Sequence, residues 1–417
     1  MKTVRLLLAA ATTGALLFLG AGGNTATAAD TQRAPGAPRT TGTPQSTDTP
    51  RPAAAAGFPI VFQNNTHGAY GDAQIYVTVL GQITPGQWSY LKPDGSTAHI
   101  SHLDANAPGH LSKHGVNYPN MSFTLSQVGG RVPSPSSIRG GRIYLSLGSP
   151  LYIPVSPDDQ GWGGPDPNNP TDPNNDVYYD WYEYTFVNGQ AAYGGNTTQV
   201  DQFGFPMTAR LRQTSSGYDT TRGITQSRAQ VMAAYASSVG AAFRPLQSAY
   251  RIVAPRSAAG FPGDYLTSAI DQTWSYYAAH PFTLSAPGET FSGHVTGATL
   301  SFTRNGAGPY TLSKPTSREV MACSGALASG GDVEKRLGAE FCAAFNRGVA
   351  QNTALWHTPA AYYQGATPKN DYAAFFHTVG LAGRAYGFPY DDINDQSSVQ
   401  ILGNAAPPTD LTLSIGW

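Results

Sequence analysis

Apolar and polar positions alternate along most of the first half of the chain. This alternation is typical of strands, because successive side chains of a strand point to opposite faces of the sheet. Clusters of Gly, Pro, Asn and Asp separate the alternating segments, as turns between antiparallel strands do. Residues 58–212 are therefore predicted to form an antiparallel sandwich or barrel. The alternating segments are FPIVFQN, AQIYVTVLG, MSFTLSQV, GRIYLSLGSPLYIPV, VYYDWYEYTFV and TQVDQFGFPMTARL.

A helical period replaces the alternation after about residue 213. In ITQSRAQVMAAYASSVGAAF, apolar residues recur at every fourth position behind Thr225, a suitable N-cap residue. A second helix is predicted in GDVEKRLGAEFCAAFNRGV, with Asp332 as its cap. The segments SSVQILGN and DLTLSIGW near the C-terminus return to the strand pattern. We therefore predict a mainly β protein with an α/β part.

These patterns divide the folded chain into two lobes. Residues 58–212, together with the C-terminal strands, form the predicted β lobe, and residues 213–387 form a mixed α/β lobe. Ligands usually bind in a cleft between lobes. The predicted architecture therefore places a candidate ligand-binding cleft between them.

The N-terminal residues have the pattern of an export signal. A basic start precedes an apolar run from Leu6 to Leu19, and Ala26–Ala28 offers a small-residue cleavage site. We predict that residues 1–29 are a secretory signal peptide and that the protein is extracellular. Residues 30–57 are rich in Pro, Thr and Ala, which predicts a disordered linker or propeptide. Residues 58–417 remain as the folded unit.

Composition narrows the possible partners. Charged residues make up 12% of the chain and the net charge is −1. The sequence therefore lacks the basic clusters that bind nucleic acid or an anionic membrane surface. The N-terminal apolar run is shorter than the roughly 20 residues that span a bilayer. The two cysteines, Cys323 and Cys342, are expected to form a disulfide that joins two neighbouring helices, because exported proteins favour disulfides. A redox or metal-binding role is the alternative.

The segment YYDWYEYTF, residues 178–186, sets an acid among aromatic rings. Strand alternation places Trp181, Glu183 and Thr185 on one face and Asp180 on the other. An unpaired carboxylate on a dry face would be unfavourable by roughly several kcal/mol. An acid among flat rings in a groove instead suits a carbohydrate, so this face is a candidate sugar-binding surface.

Asp201 is a candidate partner for Glu183. It lies in TTQVDQFGFP, the next strand-like segment, after a Gly-rich connection. Hydrolysis of a glycosidic bond needs two carboxyl groups, one to protonate the leaving oxygen and one to activate water or attack the sugar. The alternative is structural: Asp201 caps a turn, and Glu183 pairs with an arginine such as Arg210.

Three further groups of polar residues suggest weaker sites. The histidines of HISHLDANAPGHLSKH could suggest zinc, but they follow no regular ligand pattern. The acidic and Asn residues of PDDQGWGGPDPNNPTDPNND could suggest calcium, although this density of Pro and Gly fits an irregular loop. Asp391 and Asp392 could bind sugar hydroxyls or cap a loop.

Six segments together resemble glycoside hydrolase family 64, the secreted β-1,3-glucanases of the thaumatin-like superfamily. The resemblance runs from about Phe58 to the C-terminus, with all six segments in the family's order. It implies a thaumatin-like β-barrel or sandwich lobe and a mixed α/β lobe around a wide acidic cleft. It also implies inverting hydrolysis of β-1,3-glucan with release of laminaripentaose. The segments are IYVTVLG, GRIYLSLGSPLYIPV, DWYEYTF, TTQVDQFGFP, CSGALASGGDVEKRLGAEFCAAFNRGV and GRAYGFPYDDINDQSS.

Position by position, the resemblance gives Glu183 the role of acid and Asp201 the role of base. The other predicted site residues contact the sugar. Among them, Tyr193 stands where the family has a tryptophan. No cofactor or metal is implied, and the protein is predicted to be a monomer. The alternative is a non-catalytic β-glucan-binding protein of the same superfamily. The predicted sugar contacts are Trp181, Thr185, Asn188, Tyr193 and Thr198.

Overall fold

A computed structural model describes residues 57–417 of the 417-residue chain. The predicted signal peptide, residues 1–29, lies outside the described residues, as does the predicted linker up to residue 56. Among residues 57–417, no helix is long and apolar enough to cross a membrane.

Strands dominate the described part of the chain, and helices are concentrated after residue 227. Short 3-10 turns connect several of these elements, and the turn Pro255–Ser257 lies beside the candidate site. The helices are α1 (Leu125–Val128), α2 (Arg228–Ser238), α3 (Thr267–Ala279), α4 (Ser317–Ala322), α5 (Asp332–Asn346) and α6 (Asp371–Val379). The strands are β1 (Pro59–Asn65), β2 (Ile75–Thr84), β3 (Gln87–Leu91), β4 (Thr97–His99), β5 (Leu111–Lys113), β6 (Val116–Tyr118), β7 (Phe123–Thr124), β8 (Arg131–Pro133), β9 (Ser137–Leu147), β10 (Tyr178–Val187), β11 (Ala191–Thr197), β12 (Gln202–Phe203), β13 (Met207–Gln213), β14 (Tyr218–Gly223), β15 (Ile252–Val253), β16 (Phe282–Ala286), β17 (Glu289–Thr296), β18 (Thr299–Arg304), β19 (Ala307–Ser313), β20 (Gln400–Ile401) and β21 (Asp410–Gly416).

Two large sheets pack face to face. One has the strand order β14-β13-β21-β1-β8, and the other has the order β20-β11-β10-β9-β2-β3-β4, with β7 beside β2. The core between them takes apolar side chains from both sheets, for example Ile60, Val77, Tyr184 and Leu413. Within residues 57–417 the sheets do not close on one another, so this lobe is a sandwich rather than a closed barrel. The fold is mainly β, as predicted.

The two ends of the described chain meet in the sandwich. Strand β21 lies parallel to β1 and antiparallel to β13, so it occupies the middle of the five-stranded sheet. Strand β20 adds to the edge of the larger sheet beside β11. Strand β14 extends the smaller sheet to Gly223, beyond residue 212.

A second hydrophobic core lies among the helices and the four-stranded sheet β16-β17-β18-β19. Trp274 of α3 packs against Phe341 and Phe345 of α5 in this core. The predicted disulfide is confirmed: Cys323, at the end of α4, is bonded to Cys342 of α5, with the two Cα atoms 5.5 Å apart.

The predicted helices exist, but their starts differ from the predicted ones. Helix α2 is capped by Ser227 instead of Thr225, because the Ser227 hydroxyl accepts from the N–H of Gln230 at 3.2 Å. The Gln230 side chain in turn accepts from the Ser227 N–H at 2.9 Å, which forms a capping box. Asp332 is the first residue of α5, and Gly331 occupies the cap position.

A short strand pair joins the end of the β11 segment to the chain after α2. Strand β12 pairs with β15, with Gln202 opposite Val253. The backbone oxygen of Asp201 continues this contact by accepting from the N–H of Ala254 at 2.9 Å. Residue 201 is thereby fixed next to the turn Pro255–Ser257.

Candidate active site

Strand β10 lies between β9 and β11, and its two faces have different surroundings. Tyr182, Tyr184 and Phe186 point into the sandwich core. Tyr179 and Trp181 point to the outer face, where they join a separate cluster of aromatic and aliphatic side chains. Glu183 lies on this outer face next to Trp181, as the alternation of the sequence predicted.

Two donors hold one oxygen of Glu183. Glu183 is directly opposite Arg142 of β9 in the strand register, and directly opposite residues share a face of the sheet. Arg142 Nε donates to Glu183 Oε1 at 3.0 Å, and Trp181 Nε1 donates to the same oxygen at 3.1 Å. None of the described side chains or amides donates to Oε2. The Glu183 side chain is 16% exposed.

Asp201 is held in a similar way from the other side of the site. It precedes β12, and its Oδ1 accepts from the hydroxyl of Ser257 at 2.9 Å. Arg256 Nη1 lies 3.3 Å from the same oxygen. Among residues 57–417 no donor reaches Oδ2. The Asp201 side chain is 29% exposed.

Both carboxylates act electrostatically on the same guanidinium. Burial acts to lower the pKa of Arg142, but the effects of Tyr144, Glu183 and Asp201 outweigh burial, so the net shift is upward. Burial also raises the pKa of the Tyr144 hydroxyl, and both carboxylates add to that effect. Arg142 therefore stays charged next to Glu183.

The family follows from comparison of the whole chain. A family model described as β-1,3-glucanase, glycoside hydrolase family 64, matches residues 56–415. The chain belongs to this family.

Solved structures of this family resemble the protein closely. A family 64 β-1,3-glucanase domain from Clostridium beijerinckii is 35% identical, with a TM-score of 0.81; the alignment covers 88% of this chain and 100% of that domain. The laminaripentaose-producing β-1,3-glucanase from Paenibacillus barengoltzii, complexed with laminarihexaose, is 34% identical, with a TM-score of 0.67; the alignment covers 87% of this chain and 75% of that one.

Sequence relatives carry an activity name. A glucan endo-1,3-beta-glucosidase from Arthrobacter sp. (strain YCWD3) is 26% identical over 288 residues, which is 63% of this chain and 50% of the relative. A glucan endo-1,3-beta-glucosidase from Cellulosimicrobium cellulans is 27% identical over 286 residues, with the same coverage. These alignments span about half the length of the two named relatives.

Two predicted sugar contacts of this family 64 protein are buried beside the carboxylates. Thr185 Oγ1 accepts from the N–H of Gly140 at 3.1 Å, and Thr198 Oγ1 accepts from the N–H of Val200 at 3.2 Å. Both hydroxyls thus hold backbone near Glu183 or Asp201. Asn188 is exposed in the turn after β10, roughly 15 Å along the strand from Glu183. Sugar contacts for these three residues stay predictions.

The structure corrects the predicted role of one aromatic ring. Tyr193 was predicted to contact substrate, but it is 0% exposed in the sandwich core. Its hydroxyl lies 2.8 Å from that of Tyr182, and the β10–β11 pairing turns the ring to the inner face of the sheet. Trp181 is 5% exposed, and its N–H donates to Glu183 Oε1 at 3.1 Å; its sugar contact stays a prediction.

Two other aspartates, Asp180 and Asp391, are buried. Asp180 accepts from the N–H groups of Trp181 and Gly204 at 2.8 and 2.9 Å, and burial raises the pKa of its carboxyl to about 7. Asp391 is fully buried and contacts His377 Nε2 at 2.9 Å, so the sugar-binding alternative for it is wrong. Within the described chain, no three His, Cys, Asp or Glu side chains gather as metal ligands.

Sequence reasoning missed the residues that hold the carboxylates. It suggested Arg210 as a structural partner of Glu183, but Arg210 Nε donates to Asp219 Oδ1 at 2.7 Å. Arg142 could have been suspected from the alternation in GRIYLSLG, which places it and Tyr144 on one face. No local pattern marks Arg256 or Ser257, since both reach Asp201 through the β12–β15 pairing.

Two cavities lie elsewhere, in the mixed lobe. One of about 590 Å³ is lined in part by His280, Phe282 and His294. The other, of about 160 Å³, is lined in part by Thr273 and Phe345. Neither is lined by an acidic side chain, so neither offers a carboxylate pair for acid–base chemistry.

Proposed function

We propose that this family 64 protein hydrolyses β-1,3-glucan with inversion at the anomeric carbon. The observation that carries the proposal is the pair of partly exposed carboxylates: Glu183, which accepts from Arg142, and Asp201, which also acts electrostatically on Arg142. The family and the two named glucan endo-1,3-beta-glucosidases support the substrate. Glycosidic hydrolysis needs two carboxyl groups, and each of these has one oxygen that is not engaged by the described residues.

In the proposed reaction, Glu183 is the acid and Asp201 is the base. Glu183 Oε2 gives its proton to the glycosidic oxygen as the bond from that oxygen to the anomeric carbon breaks. A water oxygen attacks the anomeric carbon from the opposite face, and its proton passes to Asp201 Oδ2. The reaction leaves Glu183 ionised and Asp201 protonated, and exchange with water restores both groups.

A relative suggests the product size, and the N-terminal sequence pattern suggests the location. The Paenibacillus barengoltzii relative is a laminaripentaose-producing enzyme, and we propose laminaripentaose-type products for this chain. We also propose that it acts as a monomer outside the cell after loss of residues 1–29. No cofactor takes part in the proposed chemistry.

Incubation with linear β-1,3-glucan tests the activity. New reducing ends should form, and chromatography should show oligosaccharides of about five units as the main products. Proton NMR during the first minutes should show the α-anomer first, because inversion of a β-linkage gives an α-sugar. A β-anomer as the first product would contradict inversion.

The same experiment decides the alternatives. A non-catalytic glucan-binding protein would bind the polysaccharide and release no reducing ends. Hydrolysis of β-1,4-linked or mixed-linkage glucan, with none of β-1,3-glucan, would assign a different substrate to the site.

A further inference from the structure

Both carboxylates are held by the same arrangement of donors. An arginine and one uncharged donor bind a single oxygen: Arg142 with Trp181 at Glu183, and Arg256 with Ser257 at Asp201. The second oxygen of each carboxylate has no donor among residues 57–417. A plain structural ion pair would more often use both carboxylate oxygens, as Arg212 does with Asp410. Because both donors bind the same oxygen, the other oxygen of each carboxylate is available to exchange a proton.

We propose that Arg142 and Arg256 are positioning residues with separate tasks: Arg142 governs proton donation by Glu183, and Arg256 governs proton acceptance by Asp201. The proposal rests on the proposed function and adds to it the control of each transfer. It also names Oε2 of Glu183 and Oδ2 of Asp201 as the atoms that exchange protons.

Arg142 favours proton donation because it stabilises the product of that step. When Glu183 loses its proton it becomes an anion, and a guanidinium 3.0 Å from Oε1 lowers the energy of that anion as it forms. Arg142 is itself held between two indoles, with its guanidinium carbon 5.7 Å from the Trp181 ring and 5.9 Å from the Trp162 ring. These contacts fix the guanidinium on the Oε1 side of the acid.

Arg256 acts on the base instead. Asp201 must be ionised to accept a proton from water, and Arg256 Nη1 lies 3.3 Å from its Oδ1. The Ala254 N–H binds the Asp201 backbone oxygen at 2.9 Å, so the turn that carries Arg256 and Ser257 is fixed to the same residue. The carboxylate is thus oriented through both its backbone and its side chain.

The other titratable groups around the pair are tyrosines. Both carboxylates add to the raised pKa of the Tyr144 hydroxyl, Glu183 adds to that of Tyr386, and Asp201 adds to that of Tyr372. Burial is the largest cause of the rise at all three hydroxyls, so they stay neutral around neutral pH. Asp392 also contributes at Tyr386, and Asp180 contributes at Tyr372. Within residues 57–417, Arg142 and Arg256 are the cations that contact the pair.

The pH dependence of kcat/KM separates the two tasks. In R256M the base is protonated more readily, so the acidic limb of the profile should move to higher pH by roughly one unit. In R142M the acid keeps its proton more readily, so the basic limb should move to higher pH and kcat should fall about tenfold or more. A smaller shift of the acidic limb is also expected in R142M, because Arg142 and Asp201 also interact electrostatically. R256M should leave the basic limb in place.

Conservative variants and a matched control distinguish the effect of the lost charge from an effect of misfolding. R142K and R256K keep the positive charge, so the limbs should stay near the wild-type positions while kcat falls. S257A should lower kcat without a comparable limb shift, because it removes a hydrogen bond and no charge. R210M is the control, since Arg210 forms an exposed pair with Asp219 on the edge of the sandwich. Thermal unfolding of each variant gives the folded fraction used to normalise the rates.

Three results would overturn the proposal. Profiles of R142M and R256M that superimpose on the wild-type profile after normalisation would show that the arginines are only structural. A shift of the acidic limb alone in R142M, or of the basic limb in R256M, would reverse the assignment. If R142M fails to fold, the limb positions of R142K and R256M decide.

A wild-type protein without β-1,3-glucanase activity would refute the proposed function and this proposal with it. An active wild type with unshifted variants would refute this proposal alone.

Discussion

The two faces of strand β10 differ in how they use polar atoms. On the inner face, Tyr182 and Tyr184 are fully buried, and each hydroxyl has a partner: Tyr182 contacts Tyr193 at 2.8 Å and Tyr184 contacts Ser134 at 3.1 Å. On the outer face, Glu183 is partly exposed and one of its oxygens has no donor among the described residues. The inner face is therefore complete within the fold, and the outer face has capacity left for a ligand.

This difference shows how packing supports chemistry on the same strand. The inner rings lock β10 in register, because a slip of one residue would exchange the two faces. That register places Arg142 directly opposite Glu183. If the outer face carries the proposed activity while the inner face sets stability and geometry, substitutions on the two faces should separate the two properties.

The largest separation is expected for Glu183→Gln on the outer face. Glutamine keeps an oxygen that can accept from Arg142 and Trp181, but it has no proton to donate to the leaving group. We expect kcat on β-1,3-glucan to fall about 10³- to 10⁴-fold, which is the upper part of the range for general acid catalysis. Glucan binding, measured by affinity electrophoresis, and the unfolding temperature should change little. Normal turnover would refute the role of Glu183 as acid.

The opposite result is expected for Phe186→Ala on the inner face. Phe186 is 0% exposed and packs edge-on against Phe58, with ring centroids 5.6 Å apart. Its removal leaves a cavity in the sandwich core, so the free energy of unfolding should fall by about 3–5 kcal/mol. Urea unfolding measures this change, and kcat per folded molecule should stay within about twofold of wild type. A large loss of kcat with unchanged stability would remove the distinction between the faces.

Local pattern was sufficient to predict the strand, its faces and its acid. The alternation in YYDWYEYTF depends only on neighbouring residues, and it placed Trp181 and Glu183 on the same face. In the structure, Trp181 Nε1 lies 3.1 Å from Glu183 Oε1. Helices α2 and α5 and the disulfide were also predicted from local features. The cap of α2 was misplaced by two residues, because Thr225 and Ser227 are both good cap residues and only Ser227 is followed three positions later by a glutamine.

Contacts that depend on strand pairing could not be predicted in this way. Arg142 lies 41 residues before Glu183, and their contact depends on the register of β9 against β10. Tyr193 was placed at the sugar because its neighbours in the sequence match the family. The pairing of Gly194 with Thr185 instead turns Tyr193 to the inner face. Register is a tertiary property, so a single sequence carries little information about it.

Asp180 is an acid on the inner side of β10, and in contrast to Glu183 both of its carboxylate oxygens accept hydrogen bonds from the backbone. Burial raises the pKa of its carboxyl from 3.8 to about 7 in the folded protein. Between these values the unfolded chain releases the proton first, so the stabilising effect is complete below about pH 4 and is lost as pH rises to about 7. Asp180→Asn should remove this pH dependence, which amounts to up to roughly 4 kcal/mol.

Urea unfolding of wild type and Asp180→Asn at several pH values between 4 and 8 measures the effect. The free energy of unfolding of the wild type, relative to that of the variant, should decline as pH rises. Asp219, which is exposed and paired with Arg210, provides the matched control in Asp219→Asn. A constant difference between wild type and Asp180→Asn across this range would show that Asp180 does not titrate there.

The smallest effect is expected for Trp181→Phe, which tests whether the outer-face ring acts through Glu183. Phenylalanine retains most of the packing against Tyr144, 5.6 Å away, but it lacks the N–H that binds Glu183 Oε1. Arg142 still holds that oxygen, so kcat should fall about tenfold, as for the loss of one hydrogen bond to a charged group. If Trp181 acts through the acid, KM for glucan should stay nearly constant. If the Trp181 ring stacks on a sugar, its loss should raise KM instead.

Tyr179→Phe is the matched control, because the Tyr179 ring stacks on Trp181, with centroids 6.3 Å apart, and has no hydrogen bond to either carboxylate. Equal losses in both variants would indicate disturbed packing of the outer face and would contradict a specific contact between Trp181 and the acid.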